Sequence, residues 1–323
     1  MPLFNRYICP YCLTSIRSWK APMSCPDCGK SLPVQYIDEF ENHPPFFTQV
    51  FGWTRVGKTV FLSALTLMLV KMTKIWRRYN FAAATDISQR KVQEINEFIA
   101  KGSMPQPTQP GPQDVYIMIL EGMERWGSRA LVTRDCAGEV FDNLEVPVEQ
   151  APYLLNAPTT FMLISLPDLP SGGRSMDMLM NNYINTLMKH KVNFNKEPRK
   201  LVVVLTKADI IKNLPANLRN YLLSDPLWAA INSPSEAKQL DTIAMQEYIE
   251  VMGRVSAAIK DWIQRDASGK NFVRLAEKKN IDMRFSLISS TGAPVEGGDS
   301  MPVALSPRRV LDPYFWALEL QSR

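Results

Sequence analysis

The sequence predicts an α/β protein with a mostly parallel central sheet, helices on both faces, and a small cysteine-rich unit in front of it. From Phe46 onward, strand-like apolar runs alternate with helical patterns, as in βαβ units. One of these runs leads directly into the octet Gly52–Thr59, "GWTRVGKT", which is followed by an apolar helical pattern. Two Cys-x-x-Cys pairs lie within the first 33 residues. These three observations define the fold class.

The composition is typical of a soluble globular protein. The chain has 323 residues, which suggests one large domain with a small attachment, or two domains. Apolar residues make up 46% and charged residues 21%, and the net charge is +5. Two basic clusters, in residues 71–78 and 196–200, are interpreted as solvated surface rather than as contacts to nucleic acid or an anionic surface.

The sequence favours a cytoplasmic location. The start, "MPLFNRYICPYCL", lacks the apolar core of a signal peptide. The longest apolar stretch, Val60–Val70, is shorter than the roughly 20 residues of a membrane span, so a buried helix is expected there. Cysteines in metal-binding spacing are also usual in reducing compartments.

The N-terminal unit contains four of the five cysteines, in two pairs: Cys9, Cys12, Cys25 and Cys28. Four thiolates from two tight turns can surround Zn²⁺ tetrahedrally. Over about its first thirty residues the chain resembles the zinc-ribbon family, which implies a structural zinc that supplies folding energy to this short unit. Its role stays open between a staple for the N-terminus and a docking surface. Nucleic-acid binding is not favoured, because few suitable side chains lie between the pairs: Arg17, Trp19 and Lys20.

Three regions are predicted: the ribbon at 1–33, a linker at 34–45 and an α/β domain at 46–323. The predicted strands of that domain are Phe46–Phe51, Val115–Leu120, Ala130–Arg134, Thr160–Ser165, Leu201–Thr206 and Arg284–Ser289. Several are continuously apolar, as expected for strands covered on both faces. A loop at Gly102–Asp114 and a mostly helical insertion at about 211–280 interrupt the alternation. A last helix is predicted to begin near Pro313.

The octet matches the pattern G-x-x-x-x-G-K-[ST] in the expected context, between a strand and a helix. Gly52 and Gly57 would let the backbone curl so that successive N–H groups point at a phosphate. The Lys58 ammonium would reach the β- and γ-phosphates, and the Thr59 hydroxyl would coordinate Mg²⁺. Further contacts to the nucleotide are predicted from the neighbouring residues Arg55, Val56 and Val60.

Three further elements follow in order along the chain. Asp135 ends a strand and begins "DCAG", so its carboxylate could hold Mg²⁺ through water while the Gly138 N–H senses the γ-phosphate. The apolar strand "LVVVL" leads into "TKAD", Thr206 to Asp209, and the last strand leads into Ser289-Ser290. Any one of these could be an ordinary turn. Together, in this order and after strands, they predict a nucleotide site.

From about Phe46 to the C-terminus, these elements resemble the Ras-like P-loop GTPases of the translation-factor-related (TRAFAC) class. The resemblance implies a three-layer P-loop NTPase fold, GTP binding, Mg²⁺ dependence and nucleotide-driven switching. It implies that Asp209 accepts two hydrogen bonds from the guanine edge, that Lys207 lies against the ring, and that the Ser289-Ser290 turn meets the guanine carbonyl. The inserted helices and the ribbon are similar to bacterial double-GTPase and GTPase-associated proteins of conflict systems, which implies a protein partner.

Two positions depart from the GTPase pattern. Thr206 stands where most of these proteins have asparagine; a threonine can still hydrogen-bond toward the backbone of the Gly52–Thr59 loop, but it reaches less far. Glu139 follows the Asp-x-x-Gly segment, where a water-positioning glutamine or histidine is usual. A glutamate there could orient water, but its charge would repel the γ-phosphate. We therefore expect slow intrinsic hydrolysis, with Lys58, Gly138 and Glu139 as the catalytic candidates.

Some roles have more than one candidate. The threonine that completes Mg²⁺ coordination is predicted to be Thr108, with Thr85 as the alternative. A charge-neutralising arginine could come from Arg55, from Arg134 or from a partner, and would accelerate hydrolysis by about 10³–10⁵. Cys136 is interpreted as a small packing residue.

Three functions are compatible with this pattern. The first is a slow, Mg²⁺-dependent GTPase that switches a protein partner, such as an activator, an effector or another GTPase. The second is a P-loop ATPase or kinase. The third is a non-enzymatic scaffold that binds nucleotide for stability while its ribbon engages nucleic acid or protein. GTP is favoured over ATP, because guanine offers two adjacent donors that Asp209 can accept.

Overall fold

The computed structural model describes residues 5–101, 114–134, 151–169, 175–233, 242–292 and 305–321. Its strands are β1 (Asn5–Ile8), β2 (Ser15–Ser18), β3 (Pro45–Phe51), β4 (Asn80–Ala83), β5 (Val115–Glu121), β6 (Arg129–Arg134), β7 (Thr159–Ser165), β8 (Lys200–Thr206) and β9 (Asp282–Leu287). The first two form an antiparallel hairpin. The other seven form one sheet in the order β4-β5-β6-β3-β7-β8-β9.

Helices cover both faces of this sheet. They are α1 (Val34–Asp38), α2 (Lys58–Lys71), α3 (Asp86–Lys101), α4 (Ala151–Asn156), α5 (Met176–Lys189), α6 (Ala216–Leu223), α7 (Pro226–Asn232), α8 (Thr242–Ile263), α9 (Ala267–Lys278) and α10 (Asp312–Gln321). Along the part of the sheet ordered β6-β3-β7-β8-β9, every pairing is parallel. At the other edge, the β4–β5 and β5–β6 pairings are antiparallel. The predicted fold class, a three-layer α/β sandwich with a mostly parallel sheet and a phosphate-loop motif after a central strand, is confirmed.

The observed strands agree closely with the predicted ones. All six predicted strands of the α/β domain are present, with ends displaced by at most two residues. The edge strand β4 was not predicted, because the short segment "NFAA" has neither a continuous apolar run nor clear alternation. The predicted linker also contains the short helix α1, whose Tyr36 and Ile37 are buried. The division into three domains stays a prediction, and residues 102–113 of the predicted proline-rich loop lie outside the described residues.

The central strands and two helices are buried on nearly every side. Every residue of β8 from Leu201 to Leu205 is fully buried. Helix α2 buries most of its residues between Phe61 and Leu69, which explains its continuously apolar sequence. Helix α10 is buried from Asp312 to Leu320. The "YFWALEL" stretch is therefore core that covers the sheet.

The cysteine-rich hairpin packs on one face of the sheet. Its Tyr7, Ile16 and Leu32 belong to the same buried cluster as Ile117 and Val132 of β5 and β6. Hydrogen bonds also join the hairpin to α1 and α4, since the Tyr36 hydroxyl donates to the Ile8 carbonyl at 2.8 Å and the Tyr153 hydroxyl donates to the Pro10 carbonyl. The hairpin unit thus supplies part of the cover that this face of the sheet needs.

A buried polar cluster joins helices α6 to α8 of the predicted insertion, which we call the inserted helices, to the start of α10. Asp312 is 1% exposed, and its carboxylate accepts hydrogen bonds from the Tyr221 hydroxyl at 2.6 Å and the Tyr248 hydroxyl at 2.5 Å. Burial raises the pKa of Asp312 to about 6, against the opposing effect of the Arg309 charge. A buried carboxylate is tolerated here because a cation and two hydroxyl donors face it.

The raised pKa of Asp312 gives a defined pH dependence of stability. In the unfolded chain this carboxyl ionises near pH 4, about two units lower, so between these values the folded chain holds a proton that the unfolded chain has released. The contribution of Asp312 to stability is therefore greatest below about pH 4, falls as the pH rises to about 6, and is constant above about pH 6.

The variant Asp312→Asn tests this pH dependence, because its asparagine does not titrate. We expect the free energy of unfolding of wild type minus that of Asp312→Asn to fall by about 2 kcal/mol between about pH 4.5 and about pH 7.5.

Urea unfolding at a series of pH values measures this difference. Asp261→Asn, which changes an exposed carboxylate on α8, is the control and should leave the pH profile unchanged. A wild-type profile parallel to that of Asp312→Asn would contradict the assignment.

Candidate functional site

The loop between β3 and α2 is held in a tight curl. A Cβ atom at Gly52 would lie 2.7 Å from the Leu163 carbonyl oxygen of the neighbouring strand β7, so only glycine fits. Arg55 and Gly57 both adopt left-handed conformations, with φ of 68° and 92°. Gly57 immediately precedes α2. The chain therefore turns back over the end of β3 before the helix begins.

Lys58 places its ammonium group inside this loop. It is 7% exposed, and its Nζ donates to the carbonyl oxygens of Gly52 at 2.9 Å and Trp53 at 2.8 Å. The same residue begins α2, whose unpaired N–H groups and macrodipole favour an anion at this end. A buried cation and a helix N-terminus thus meet at one point. This combination is suited to a phosphate group.

The loop after β8 is attached by two side chains to the loop Gly52–Thr59, which matches the phosphate-loop sequence motif and which we name the phosphate loop. The Thr206 hydroxyl donates to the Val56 carbonyl at 2.8 Å, and Lys207 Nζ donates to the Arg55 carbonyl at 3.0 Å. Thr206 is 2% exposed, and despite its short side chain it reaches the loop directly. Lys207 takes a left-handed conformation with φ of 56°, after which Asp209 lies half-buried in the turn Ala208–Ile210.

The loop after β9 lies beside the loop after β8. The Ala208 N–H donates to the Ile288 carbonyl at 3.1 Å. Ser289 is fully buried, and its hydroxyl accepts a hydrogen bond from the Gly292 N–H at 2.9 Å, whereas Ser290 is half-buried. Loops that follow three parallel strands therefore meet at the carboxyl edge of the sheet. In open α/β sheets this edge is the usual place for a ligand.

The structure shows the surroundings of some other predicted site residues. Thr59 and Val60 are half-buried in the first turn of α2, and the Arg55 side chain is exposed. Thr85, the alternative Mg²⁺ threonine, caps α3 instead: its Oγ1 accepts from the Ser88 N–H at 3.1 Å. Four predicted site residues, and the fifth cysteine, lie outside the described residues: Thr108, Asp135, Cys136, Gly138 and Glu139.

Arg134 ends β6, directly before the Asp-x-x-Gly segment. It is 5% exposed, and within the described part of the chain its Nε has no hydrogen-bond partner. It pairs in register with Gln49 of β3, and Val115 and Val132 share its face of the sheet, toward the cysteine-rich hairpin. The Arg134 guanidinium is therefore better placed to pack between the sheet and the hairpin than to act in a solvent-facing site.

Sequence reasoning missed the segment 305–308, which lies along the loop after β9. The Arg308 N–H donates to the Ser289 carbonyl at 2.7 Å, and the Ser289 N–H donates back to the Arg308 carbonyl at 3.1 Å. The sequence "LSPRR" carries no strand pattern, and a two-residue bridge between distant segments leaves no periodic signal. The two adjacent arginines are the only trace of it in the sequence.

The four predicted zinc ligands converge in the hairpin unit. All four Sγ atoms lie within 4.8 Å of one another, with Cys9 and Cys28 at 3.8 Å and Cys12 and Cys25 at 3.6 Å. Tetrahedral zinc with Zn–S bonds of about 2.3 Å requires S···S distances of about 3.8 Å, so the donor set fits this ion. The cluster can hold a metal ion, and its identification as zinc remains a proposal.

Two similar turns present the cysteines. The Leu13 N–H donates to the Cys9 carbonyl at 3.0 Å, and the Gly29 N–H donates to the Cys25 carbonyl at 2.9 Å. Leu13 and Gly29 both have left-handed φ, 63° and 69°. Burial raises the pKa of the Cys9 thiol. A thiolate at this position therefore needs a cation beside it, which a bound metal ion supplies.

Comparisons with solved structures give distant likenesses. A nucleolar GTP-binding protein 1 of Plasmodium falciparum is 11% identical, with a TM-score of 0.39, over 87% of this chain and 88% of the other. A small GTPase of Trypanosoma brucei, Arl6 (BBS3) with bound GppNp, is 10% identical, with a TM-score of 0.37, over 86% and 98%. A bacterial selenocysteine-specific elongation factor, EF-Sec, is 11% identical with a TM-score of 0.31, over 76% of this chain but 26% of the factor.

With TM-scores below 0.5, these likenesses carry no argument about function. No protein-family model matches the chain, and no curated protein matches it significantly. Among the described helices, none combines the length and the apolar character that crossing a membrane requires. Any functional conclusion therefore depends on the geometry of the site itself.

The tight approach at Gly52 can be tested without a ligand. Gly52→Ala would push the loop away from Leu163 or displace β7, and we expect it to lower the free energy of unfolding by about 1–3 kcal/mol. Gly253→Ala is a matched control on α8, because a Cβ atom there meets no described atom within 4 Å. It should leave stability unchanged or raise it by up to about 1 kcal/mol. Urea unfolding measures both, and a Gly52→Ala variant as stable as wild type would refute the close contact.

The cysteine centre predicts a bound metal. Protein purified without chelator should contain one zinc ion per chain, and Cys25→Ser should lower both zinc content and thermal stability, because the metal stabilises the hairpin that covers the sheet. Cys136→Ser serves as the control and should keep the zinc. Elemental analysis with thiol titration provides the measurement. A metal-free wild-type protein with four reactive, well-ordered thiols would contradict the assignment.

Proposed function

We propose that this protein binds GTP with Mg²⁺, hydrolyses it slowly, and acts as a nucleotide-dependent switch on a protein partner. One observation carries the proposal: the loops after β3, β8 and β9 are hydrogen-bonded to one another at the carboxyl edge of the sheet. The contacts are Thr206 to Val56, Lys207 to Arg55, and Ala208 to Ile288. These loops carry the groups that a nucleoside triphosphate requires at its phosphate end and at its base.

The phosphate end of the ligand would lie over Gly52–Thr59. Lys58 already directs its ammonium into the loop, where two carbonyl groups hold it. Such an ammonium can move onto β- and γ-phosphate oxygens with little loss of ordering entropy, because its side chain is already confined. The first N–H groups of α2 would bind the same anion. Arg55, Val56 and Val60 would make further contacts to the nucleotide.

The base end would lie between the loops after β8 and β9. Asp209 is half-buried at this edge and its carboxylate can accept two hydrogen bonds from the adjacent donors of guanine. Adenine has no such pair of donors, so it would leave the carboxylate unpaired. Lys207 is held by the Arg55 carbonyl, and its aliphatic chain would lie against the ring. The Ser289-Ser290 turn would meet the guanine carbonyl through the Ser290 N–H, because the Ser289 N–H already donates to the Arg308 carbonyl.

Mg²⁺ would be held by Thr59, with Asp135 and Thr108 as further ligands proposed from sequence. Thr59 fits this role, because it follows Lys58 in the first turn of α2. Strand β6 ends at Arg134, directly before Asp135 in the sequence, and it is parallel to β3, so its carboxyl end lies at the same edge of the sheet as the loop Gly52–Thr59. When bound, the ion would neutralise charge on the β- and γ-phosphates.

Hydrolysis would be slow because few groups can stabilise the transition state. Lys58 would neutralise part of the charge that develops on the phosphate oxygens, and the Gly138 N–H would add one donor. Glu139 would hold water but repel the γ-phosphate. The exposed Arg55 and the buried Arg134 are both poorly suited to act as the charge-neutralising arginine. We therefore propose that a protein partner supplies the missing positive group.

The cysteine-rich hairpin contributes mainly to folding in this proposal. Its apolar residues form a common core with β5 and β6, which supports the role of a staple over that of a free nucleic-acid-binding module. A role in a bacterial conflict or defence system, with another GTPase as partner, is proposed from the sequence resemblance alone. The cytoplasm is proposed as the location on the basis of the sequence as well.

Asp209→Asn tests the proposed reading of the base. Asparagine keeps the shape but offers one acceptor and one donor, so GTP affinity should fall by about a hundredfold or more, while xanthosine triphosphate should gain affinity. Asp168→Asn, a half-buried carboxylate after the adjacent strand β7, is the control. Isothermal titration with GTP, XTP and ATP in the presence of Mg²⁺ measures the three affinities.

The pattern of affinities distinguishes the alternatives. Wild-type preference for GTP, lost in Asp209→Asn and unchanged in Asp168→Asn, supports a guanine site. Tighter binding of ATP than GTP by wild type would overturn it in favour of an ATPase. Equal affinity for GTP, XTP and ATP in both wild type and Asp209→Asn would also overturn the role of Asp209.

A further inference from the structure

Residues 305–308, which we name the strap, run beside the loop Ser289–Gly292, which we name the β9 loop. Besides the two-way pairing of Arg308 with Ser289, the Ser306 N–H donates to the Thr291 carbonyl at 3.0 Å. Beyond the end of the sheet, the backbone groups of the β9 loop thus form hydrogen bonds with the strap. The position of the β9 loop therefore depends on the position of the strap.

The close approach of the two segments is built into the sequence at Gly292. A Cβ atom there would lie 2.0 Å from the Ser306 carbonyl oxygen, and the residue has φ of 81°. Any other residue type would push the strap away. The strap is therefore part of the structure of the β9 loop.

Arg309, directly after the strap, is fixed by the inserted helices. It is 4% exposed and has a left-handed φ of 58°, which is unfavourable for a residue with a side chain. Its Nε donates to the Tyr221 carbonyl at 2.9 Å, one terminal nitrogen to the Ser224 carbonyl at 2.7 Å, and the other to the Tyr248 hydroxyl at 3.2 Å. The guanidinium carbon lies 3.6 Å from the centre of the Tyr221 ring. Each nitrogen of the planar group has its own acceptor.

Two carboxylates balance this charge. Asp312 accepts the hydroxyl hydrogen bonds of Tyr221 and Tyr248, so it is linked to Arg309 through both tyrosines. Asp225 accepts from the Arg309 N–H at 2.6 Å with one oxygen. With the other it caps α7, accepting from two N–H groups at 3.0 and 3.1 Å. The start of α7 and the end of the strap are thus bound to the same carboxylate.

A second contact joins the strap to α7. The Arg308 guanidinium lies 5.4 Å from the centre of the Trp228 ring, and the ammonium of Lys71, the last residue of α2, lies 5.6 Å from the same ring. Both cations are within the range of attraction to an aromatic face. The inserted helices thus contact Arg308, the last residue of the strap, and Arg309, the residue that follows it.

We propose that Arg309 is a positioning residue for base recognition: it fixes the strap to helices α6–α8, and the strap fixes the β9 loop at the base side of the nucleotide. The inserted helices therefore set the selectivity for the base through the strap. The inference rests on the proposed guanine site. It extends that site to residues that touch no nucleotide.

A change in the strap should then alter the selectivity for the base without altering the affinity for the phosphates. The phosphate loop is held by Thr206 and Lys207, whose side chains bond to its carbonyl groups and not to the described residues of the strap. A displaced β9 loop would lose its hydrogen bonds to the guanine carbonyl and leave phosphate contacts intact. Arg309→Lys keeps the charge but replaces the planar group with one ammonium, which cannot serve these acceptors in the same geometry.

The experiment compares Arg309→Lys with Tyr248→Phe and with the control Arg254→Lys, an exposed arginine on α8. Tyr248→Phe keeps the ring and removes one acceptor of Arg309 and one donor to Asp312. Competition titrations measure the affinities for GTP, ATP and inorganic triphosphate. In Arg309→Lys we expect the ratio of GTP to ATP affinity to fall by about tenfold, the equivalent of one hydrogen bond, with a smaller fall in Tyr248→Phe. The affinity for inorganic triphosphate should change less than about twofold, since a twofold change is well below the worth of one hydrogen bond.

Each outcome supports or overturns the proposal. A GTP-selective wild type whose Arg309→Lys and Tyr248→Phe variants keep that selectivity overturns the positioning role and leaves the proposed function standing. An equal loss of affinity for all three ligands also overturns it, because that result indicates a general structural role. If Arg309→Lys does not fold, Tyr248→Phe alone is judged by the same criteria. A wild type without preference for GTP overturns the proposed function and this inference together.

Discussion

The hydrogen bond from the Thr206 hydroxyl to the Val56 carbonyl is the contact on which the arrangement of the site depends. It joins the end of β8 to the turn that precedes α2, across strand β7, which lies between β3 and β8. Lys207 repeats the link one residue further on, at the Arg55 carbonyl. Because both donors lie at the end of the strand that also leads to Asp209, the two bonds hold the loop that carries Asp209 against the loop that carries Lys58.

Two additions surround this central arrangement. The cysteine-rich hairpin covers the face of β5 and β6, and its first turn accepts the Tyr153 hydroxyl from α4. The inserted helices bind the strap through a buried arginine and two carboxylates. Through the strap, the inserted helices hold the β9 loop in place, since the strap pairs with Ser289 and Arg309 is bound by the helices.

The sequence predicted the features that have a local signal. Apolar runs such as Leu201–Leu205 identify buried parallel strands, and the spacing of Gly52, Gly57 and Lys58 identifies the turn that follows one of them. Long-range contacts leave no such signal. The strap and its pairing with Ser289, the edge strand β4, and the packing of the hairpin on the sheet depend on which segments meet in three dimensions. Thr206 combines both kinds of information: its hydroxyl was expected to be able to bond to the backbone of the Gly52–Thr59 loop, and the fold shows that the acceptor is the Val56 carbonyl.

We propose that one guanine nucleotide occupies the edge of the sheet where these loops meet. The most direct measurement is a crystal structure of the full chain with Mg²⁺ and a non-hydrolysable GTP analogue. We expect the triphosphate over Gly52–Thr59 within hydrogen-bond distance of Lys58, with the guanine edge at Asp209 and its carbonyl at the β9 loop. A structure in which the nucleotide is absent at concentrations that saturate binding, or in which its base lies away from Asp209, would contradict it.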